Sequence, residues 1–426
     1  MLNNLLHRFI PQSGIVRNFL VLLSGGAIAQ ILPALLSPVI SRLYSPADFA
    51  EFAFWSNLAN TIAVIATLRY ELAIVLPKED NSAKQLLKGG ILISGVIAFL
   101  TFILVWISIG RFRQPALPLV IFSGLAGIYV FMVGVNQSIS YWLIRKKQFH
   151  KSSINKMVQS FGLVFFTLLF GFYALSSGLV YGYVLGALGL CVFSVWQIRK
   201  AGIDFMPVNW VLINQELIQY KQFPVFNTLP ALLNSFSTAL PVFFVVTYFS
   251  SNESGQFAFV RQYVMVPLMF LAGLISQVYF ADVAERIKNN KPILDNFIQI
   301  VKVLAGFSLL TILIFVPFGK PIFNFIFGDN WEMAGGFASV MILSIGLQFV
   351  VSPLSITLTA LNKIRLLGLW QIGYFLLILT LYFFKSVPFL KFLWVLVTID
   401  AMAYLIYFAL ILHAVKNYQQ KNTTIS

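Results

Sequence analysis

Long uncharged stretches alternate along the chain with short segments in which charges cluster. No Asp, Glu, Lys or Arg falls between Arg17 and Arg42, Lys88 and Arg111, Arg113 and Arg145, Lys221 and Glu253, Glu332 and Lys363, or Arg365 and Lys385. A helix crossing ~30 Å of hydrocarbon needs ~20 apolar residues, so each interval predicts one membrane span. The interval from Lys156 to Arg199 is about twice that length, and Ser176-Ser177-Gly178 near its middle is a turn signal, which predicts a hairpin of two spans. Segments near 50–76, 257–280, 296–317 and 392–412 are apolar apart from one or two charges and complete a set of twelve predicted spans. The fold class is therefore an all-α integral membrane protein.

Composition agrees. Of 426 residues, 59% are hydrophobic and 10% are charged, against roughly a quarter charged in soluble domains, which excludes a soluble globular chain. The first apolar segment follows a basic start but exceeds the ~7–15 residues of a secretory signal, so it is expected to stay as the first span. Cys191 is the single cysteine, which excludes an internal disulfide and paired-thiol metal ligation. No metal site, cofactor or catalytic residue is expected.

The net charge of +15 raises the question of nucleic acid, and topology answers it. Placing the N-terminus inside puts 21 of the 29 Lys and Arg residues in cytoplasmic segments, and Arg42, Arg111, Arg113, Lys320, Lys385 and Lys391 in outer ones. That bias predicts cytoplasmic termini. Nucleic acid is not an expected partner; membrane lipids are.

An internal repeat is legible. Residues 30–37 read QILPALLS and 227–234 read NTLPALLN; each is followed by a related phrase, SPADFAEFAF at 45–54 and SNESGQFAF at 251–259, with Asp48 matching Glu253. An even number of spans separates the copies, so the halves are parallel repeats. The expected organisation is a six-helix lobe at 1–200, a cytoplasmic linker at 201–219 and a second six-helix lobe at 220–426. The linker carries apolar residues at helical spacing and is too polar to cross, as an interfacial helix would be.

Polar side chains in hydrocarbon need partners, so polar stripes mark faces turned to other helices or to water. In the first span Gly26, Gln30, Pro33, Ser37 and Ser41 share a face, and the repeat places Asn227, Pro230, Asn234 and Thr238 likewise in the seventh. A mid-helix proline removes one hydrogen bond and tends to kink the helix. In the second, Ala53, Ser56, Asn60, Thr67 and Glu71 share a face with Glu71 turned inward, and Arg69 points almost oppositely, free to snorkel or to pair with a neighbouring helix. Asp400 lies deep in the twelfth span with Tyr404 and Tyr407 on its face. Intramembrane acids suggest proton or cation coupling, so Glu71 and Asp400 are the ion-coupling candidates. Arg261, early in the eighth span, is a candidate cavity cation, with an outer-interface anchor as the alternative.

The phrases SRLYSPADFAEFAF at 41–54 and RYELAIVLP at 69–77 resemble the N-terminal signature of the Wzx-type polysaccharide transporters, flippases of O-antigen and capsule repeat units. The resemblance implies a superfamily shared with the lipid II flippase and the multidrug and toxin extruders. It implies two six-helix lobes in a V around a central cavity, opening alternately to the two faces of a bacterial inner membrane. The implied cargo is a lipid-linked oligosaccharide, joined by pyrophosphate to a polyprenol and carried to the periplasmic leaflet; a polysaccharide polymerase and a chain-length regulator are the implied pathway partners. Arg42 and Arg69 lie inside the matched phrases, and the resemblance makes them candidates for meeting the pyrophosphate. With Gln30, Ser37, Asn227, Asn234 and Arg261 they form the substrate and cavity set.

The rival on the same fold is a cation-coupled multidrug or small-molecule antiporter. A membrane polymerase or ligase would need clustered acid, base or metal-binding groups outside, yet His7, His150 and His413 all fall in cytoplasmic segments. The longest predicted outer loop, 319–335, carries only Lys320, Asp329 and Glu332 as charged groups.

Overall fold

A computed structural model describes residues 29, 31–112, 115–203 and 208–423, and all regular elements among them are helical. The first two are α1 (Ile31–Leu43) and α2 (Pro46–Ala63), followed by a 3-10 turn at Tyr70–Val75. Then come α3 (Asp80–Phe112), α4 (Leu119–Arg145), α5 (Phe149–Phe172) and α6 (Gly178–Arg199). A short α7 (Trp210–Gln219) occupies the stretch expected to link the halves and precedes α8 (Gln222–Tyr248). The remainder is α9 (Ser251–Lys288), α10 (Leu294–Phe327), α11 (Glu332–Leu354), α12 (Ile364–Leu379) and α13 (Phe389–Thr423).

Among the described residues ten helices are long and apolar enough to cross a membrane, each falling on one of the ten predicted spans from the third to the twelfth. The first two predicted spans correspond to α1 and to α2 with its 3-10 continuation. Where the sequence predicts an outer loop at 319–335 the structure is helical. α10 continues through Pro317 and Pro321, and the connection shrinks to Gly328–Trp331, with Gly328 at φ 95. The cause is close packing: a Cβ on Gly319 would meet the Gly335 carbonyl oxygen and one on Gly335 the Gly319 oxygen, so the two helices are in backbone contact there.

The chain forms two compact units. Among the described residues, one contains those up to Leu36 and from Trp55 to Leu232, the other Ser37–Phe54 and those from Leu233 onward. Residues 37–54 thus pack with the C-terminal helices rather than with their own half of the repeat. The second unit shows why. Phe49 meets the rings of Phe259 and Trp331 at 5.1 Å each. The Trp331 indole N–H donates to the Ser41 carbonyl at 2.9 Å, and the Ser41 hydroxyl donates to the Phe327 carbonyl at 3.0 Å. A Cβ on Gly255 would overlap the Pro46 carbonyl, so the two repeat-related helix starts touch through backbone.

The repeat is visible in their caps. At Ser45 the hydroxyl donates to Asp48 at 2.7 Å and accepts from the Asp48 N–H at 3.3 Å. At Ser250 the hydroxyl donates to Glu253 at 2.7 Å and accepts from the Glu253 N–H at 3.2 Å. Both are reciprocal capping boxes that satisfy otherwise orphaned amides, which explains why an acid stands at matching places in the two copies.

Candidate functional site

In the first unit the feature that organises the polar residues is a break in the second span. α2 ends at Ala63, and Leu68 and Arg69 take left-handed backbone angles, φ 49 and 65, with neither glycine nor proline in the segment. Each such residue costs about 1–2 kcal/mol, so the surroundings must hold the break open. They do so by capturing its carbonyls: Gln137 Nε2 donates to Ala63 O at 3.3 Å and Thr228 Oγ1 to Leu68 O at 3.3 Å. Below the break, Arg145 Nη1 donates to Ile74 O at 3.3 Å and Pro77 O at 2.6 Å, and Tyr70 Oη donates to the Leu217 carbonyl at 2.9 Å. Asp80 pairs with Arg145 at 3.2 Å and also with Lys146, closing the charged turn after Pro77.

The break corrects the expectation for Arg69 and Glu71. A continuous helix would set them on opposite faces; the two left-handed residues turn the chain so that Arg69 Nη1 lies 3.3 Å from Glu71 Oε1. Arg69 therefore finds its charge partner two residues along its own segment rather than on a neighbouring helix. Glu71 is 1% exposed and also accepts a hydrogen bond from the Thr67 hydroxyl, while Arg69 is 26% exposed and its Nε is buried without a partner. Tyr141 on α4 feels both charges.

Further along α2, Asn60 lies in a cluster that the sequence reading did not assemble. Tyr129 Oη donates to Asn60 Oδ1 at 2.8 Å, Asn60 Nδ2 donates to Tyr183 Oη at 3.3 Å, and the Trp55 ring lies edge-on to Tyr129 at 5.6 Å. Only the polar stripe containing Asn60 hinted at it; the tyrosines stand on α4 and α6, too far along the chain for spacing to connect them.

In the second unit Asp400 is buried and fully bonded: Tyr374 Oη donates to it at 2.9 Å and Gln348 Nε2 at 3.1 Å. The expected partners on its own helix, Tyr404 and Tyr407, instead join an aromatic stack with Trp370, Tyr407 at 3.9 Å and Tyr404 edge-on at 5.4 Å. Cross-helix donors take the carboxylate because α11 and α12 face it directly. Arg261 opens a π turn, Arg261–Met265, inside α9, a distortion common at functional sites. Its Nη2 donates to the Thr238 carbonyl at 2.8 Å, its guanidinium lies over the Phe257 ring at 5.8 Å, and its charge and that of Asp400 act on each other.

The other candidates distribute as follows. Gln30 lies outside the described residues. Ser37 is buried in α1. Arg42 is exposed, and its Nη1 donates back to the Pro38 carbonyl of its own helix at 2.9 Å. Asn227 Nδ2 donates to Phe223 O at 3.2 Å, one turn earlier in α8, while Asn234 accepts from Gln371 on α12. α8 runs unbroken through Pro224, Pro230 and Pro241. By unit, Arg69, Glu71 and Asn227 belong to the first, and Ser37, Arg42, Asn234, Arg261 and Asp400 to the second. Outside the spans, Lys385 donates to Tyr382 Oη at 2.9 Å, and that bond holds its ammonium above the ordinary lysine value. No group of three or more His, Cys, Asp or Glu suited to a metal occurs among the described residues.

Residues 39–335 match the family described as polysaccharide biosynthesis protein. A curated relative, the teichuronic acid biosynthesis protein TuaB of Bacillus subtilis (strain 168), is 22% identical over 318 residues, 72% of this chain and 63% of the relative; the chain thus spans under two thirds of that protein's length. Among solved structures, the lipid II flippase MurJ in an inward closed conformation superposes with a TM-score of 0.71 at 12% identity, covering 94% of this chain and 90% of that one. An inward-facing multidrug resistance MATE family transporter of the MOP superfamily gives 0.63 at 12% identity, covering 94% of each chain. The chain is a multi-pass membrane protein with the helical fold of these transporters, and it belongs to the polysaccharide biosynthesis protein family.

Proposed function

We propose that the protein is a flippase that moves polyprenyl-pyrophosphate-linked oligosaccharide repeat units from the cytoplasmic to the periplasmic leaflet of the bacterial inner membrane, by alternating access, for surface polysaccharide synthesis. The family match over 39–335 carries the reading, and the fold shared with a lipid II flippase supports it. In this reading both termini are cytoplasmic, the two repeats act as lobes of about 1–200 and 220–426, and Arg69 and Arg261 attract the pyrophosphate.

The chemistry makes a machine necessary. Each sugar hydroxyl costs ~4–8 kcal/mol in pure hydrocarbon, so an unaided headgroup does not cross at a useful rate. With the cytoplasm negative, exporting one negative charge through 100 mV releases ~2.3 kcal/mol. Glu71 and Asp400 are the groups through which an ion gradient would add to that drive. Flipping in liposomes that is indifferent to both a proton and a sodium gradient would remove ion coupling.

Loss of the gene should trap lipid-linked repeat units in the inner leaflet, and their appearance in the outer leaflet at the normal rate would defeat the reading. The likeness to a multidrug transporter fold favours a second reading, a cation-coupled small-molecule antiporter. Export of cationic dyes by cells carrying the gene, with no effect on surface glycan, would select it.

A further inference from the structure

The break in the second span leaves two polar atoms with nothing to bond to, and they are of opposite kind. Arg69 uses Nη1 on Glu71 while its Nε, a donor, is buried and unpartnered. Gln137 uses Nε2 on the Ala63 carbonyl while its Oε1, an acceptor, is likewise buried and unpartnered. Gln137 and Tyr141 stand one turn apart on α4, so they share a face. That face lies against the break: Gln137 holds its upper end at Ala63, and Tyr141 feels the charges of Arg69 and Glu71 at its lower end.

Buried polar groups are paired in nearly all proteins, so an unpaired donor and an unpaired acceptor beside one opened backbone ask for a partner that supplies both complements. A phosphate oxygen complements an arginine Nε, and the adjoining edge of a guanidinium suits a phosphate. A neutral amide oxygen does not suit a phosphate; it needs a hydroxyl or amide N–H. A sugar diphosphate carries both, with the hydroxyl or acylamino group beside the anomeric phosphate.

Resting on the proposed flippase function, we infer that Gln137 is a specificity-determining residue: its free carbonyl oxygen reads a hydroxyl or N–H on the sugar attached to the diphosphate, while Arg69 holds the phosphate. In this structure neither atom faces solvent, so the ligand enters only as the lining side chains part. Glu71 keeps the guanidinium in place meanwhile, and loses Nη1 only if the phosphate takes that edge too.

The test is binding of two probes, polyprenyl diphosphate and polyprenyl diphosphate bearing one N-acetylglucosamine, to the full-length protein in nanodiscs, followed by native mass spectrometry. Wild type should prefer the sugar-bearing probe by about tenfold, which corresponds to ~1.4 kcal/mol. Gln137→Leu should bind both probes with one common affinity, which falls below wild type's for bare diphosphate to the extent that the lost bond to the Ala63 carbonyl lets the break shift, and Gln137→Asn should recover part of the preference. Gln137→Leu that keeps the preference overturns the assignment and gives the two atoms to a structural water. Equal binding of the two probes by wild type overturns it as well. Wild type that binds neither probe contradicts the flippase reading itself. Folding of each variant is checked by its thermal midpoint, and a misfolded Gln137→Leu is replaced by Gln137→Met in the same comparison.

Discussion

The ion pair at the break in the second span makes a quantitative prediction. Glu71 is 1% exposed and Arg69 26%, so the two removals are not equivalent. Taking one partner from a fully buried pair costs about 3–5 kcal/mol because a bare charge is left behind. The partial exposure of Arg69 admits some solvent, which lowers the figure for Arg69→Gln to about 2 kcal/mol, discounted for screening. Glu71→Gln leaves the stranded charge on the wetter residue and keeps an acceptor for Thr67, so about 1 kcal/mol is expected. The double variant should be no worse than Arg69→Gln alone, a coupling of about 1 kcal/mol. Thermal midpoints in nanodiscs give the order: wild type highest, Glu71→Gln next, Arg69→Gln and the double variant lowest and together. Strictly additive losses, or an Arg69→Gln variant as stable as wild type, would refute the pairing and restore the snorkelling arginine of a continuous helix.

Further outcomes follow from other contacts. Gly255→Val should fail to fold or lose several degrees of thermal midpoint, because its side chain overlaps the Pro46 carbonyl; Ser250→Ala, which removes one capping box, should cost only about 1 kcal/mol in the same assay. Asp400→Asn should stay close to the wild-type midpoint, since its one oxygen can still accept from Gln348 Nε2 while its amide N–H donates to the Tyr374 hydroxyl, whereas Asp400→Leu strands both groups and should lose about 1–3 kcal/mol. If Asp400 couples an ion, Asp400→Asn should also lose the gradient dependence of flipping while remaining folded. Arg145→Ala releases the carbonyls of Ile74 and Pro77 and should raise the rate of proteolytic nicking near residues 77–80, measured on inside-out vesicles.

Much of the architecture is legible in the sequence because hydrocarbon imposes it. Spans could be placed from gaps between charges, since a charge in the bilayer centre is costly, and the helices found at 80–112, 119–145 and 222–248 follow those gaps. The repeat announced itself through Asp48 and Glu253 because both copies need the same cap. The break at 64–69 was not legible. No glycine or proline marks it, and the residues that hold it open, Gln137 and Thr228, lie far along the chain. The loop expected at 319–335 went wrong for a related reason: its glycines permit two helices to touch rather than a chain to turn, and only the partner helix distinguishes these uses. Asp400 is buried, and its donors come from helices that the periodicity of its own helix cannot name.

The central claim is that this protein carries a lipid-linked glycan headgroup across a bilayer. Purified protein in liposomes holding a fluorescent polyprenyl-diphosphate oligosaccharide should make the inner-leaflet pool accessible to an external reductant within minutes, and Arg69→Ala should slow that phase at least tenfold. A pool that stays protected in the presence of folded wild-type protein, as in protein-free liposomes, would contradict the account.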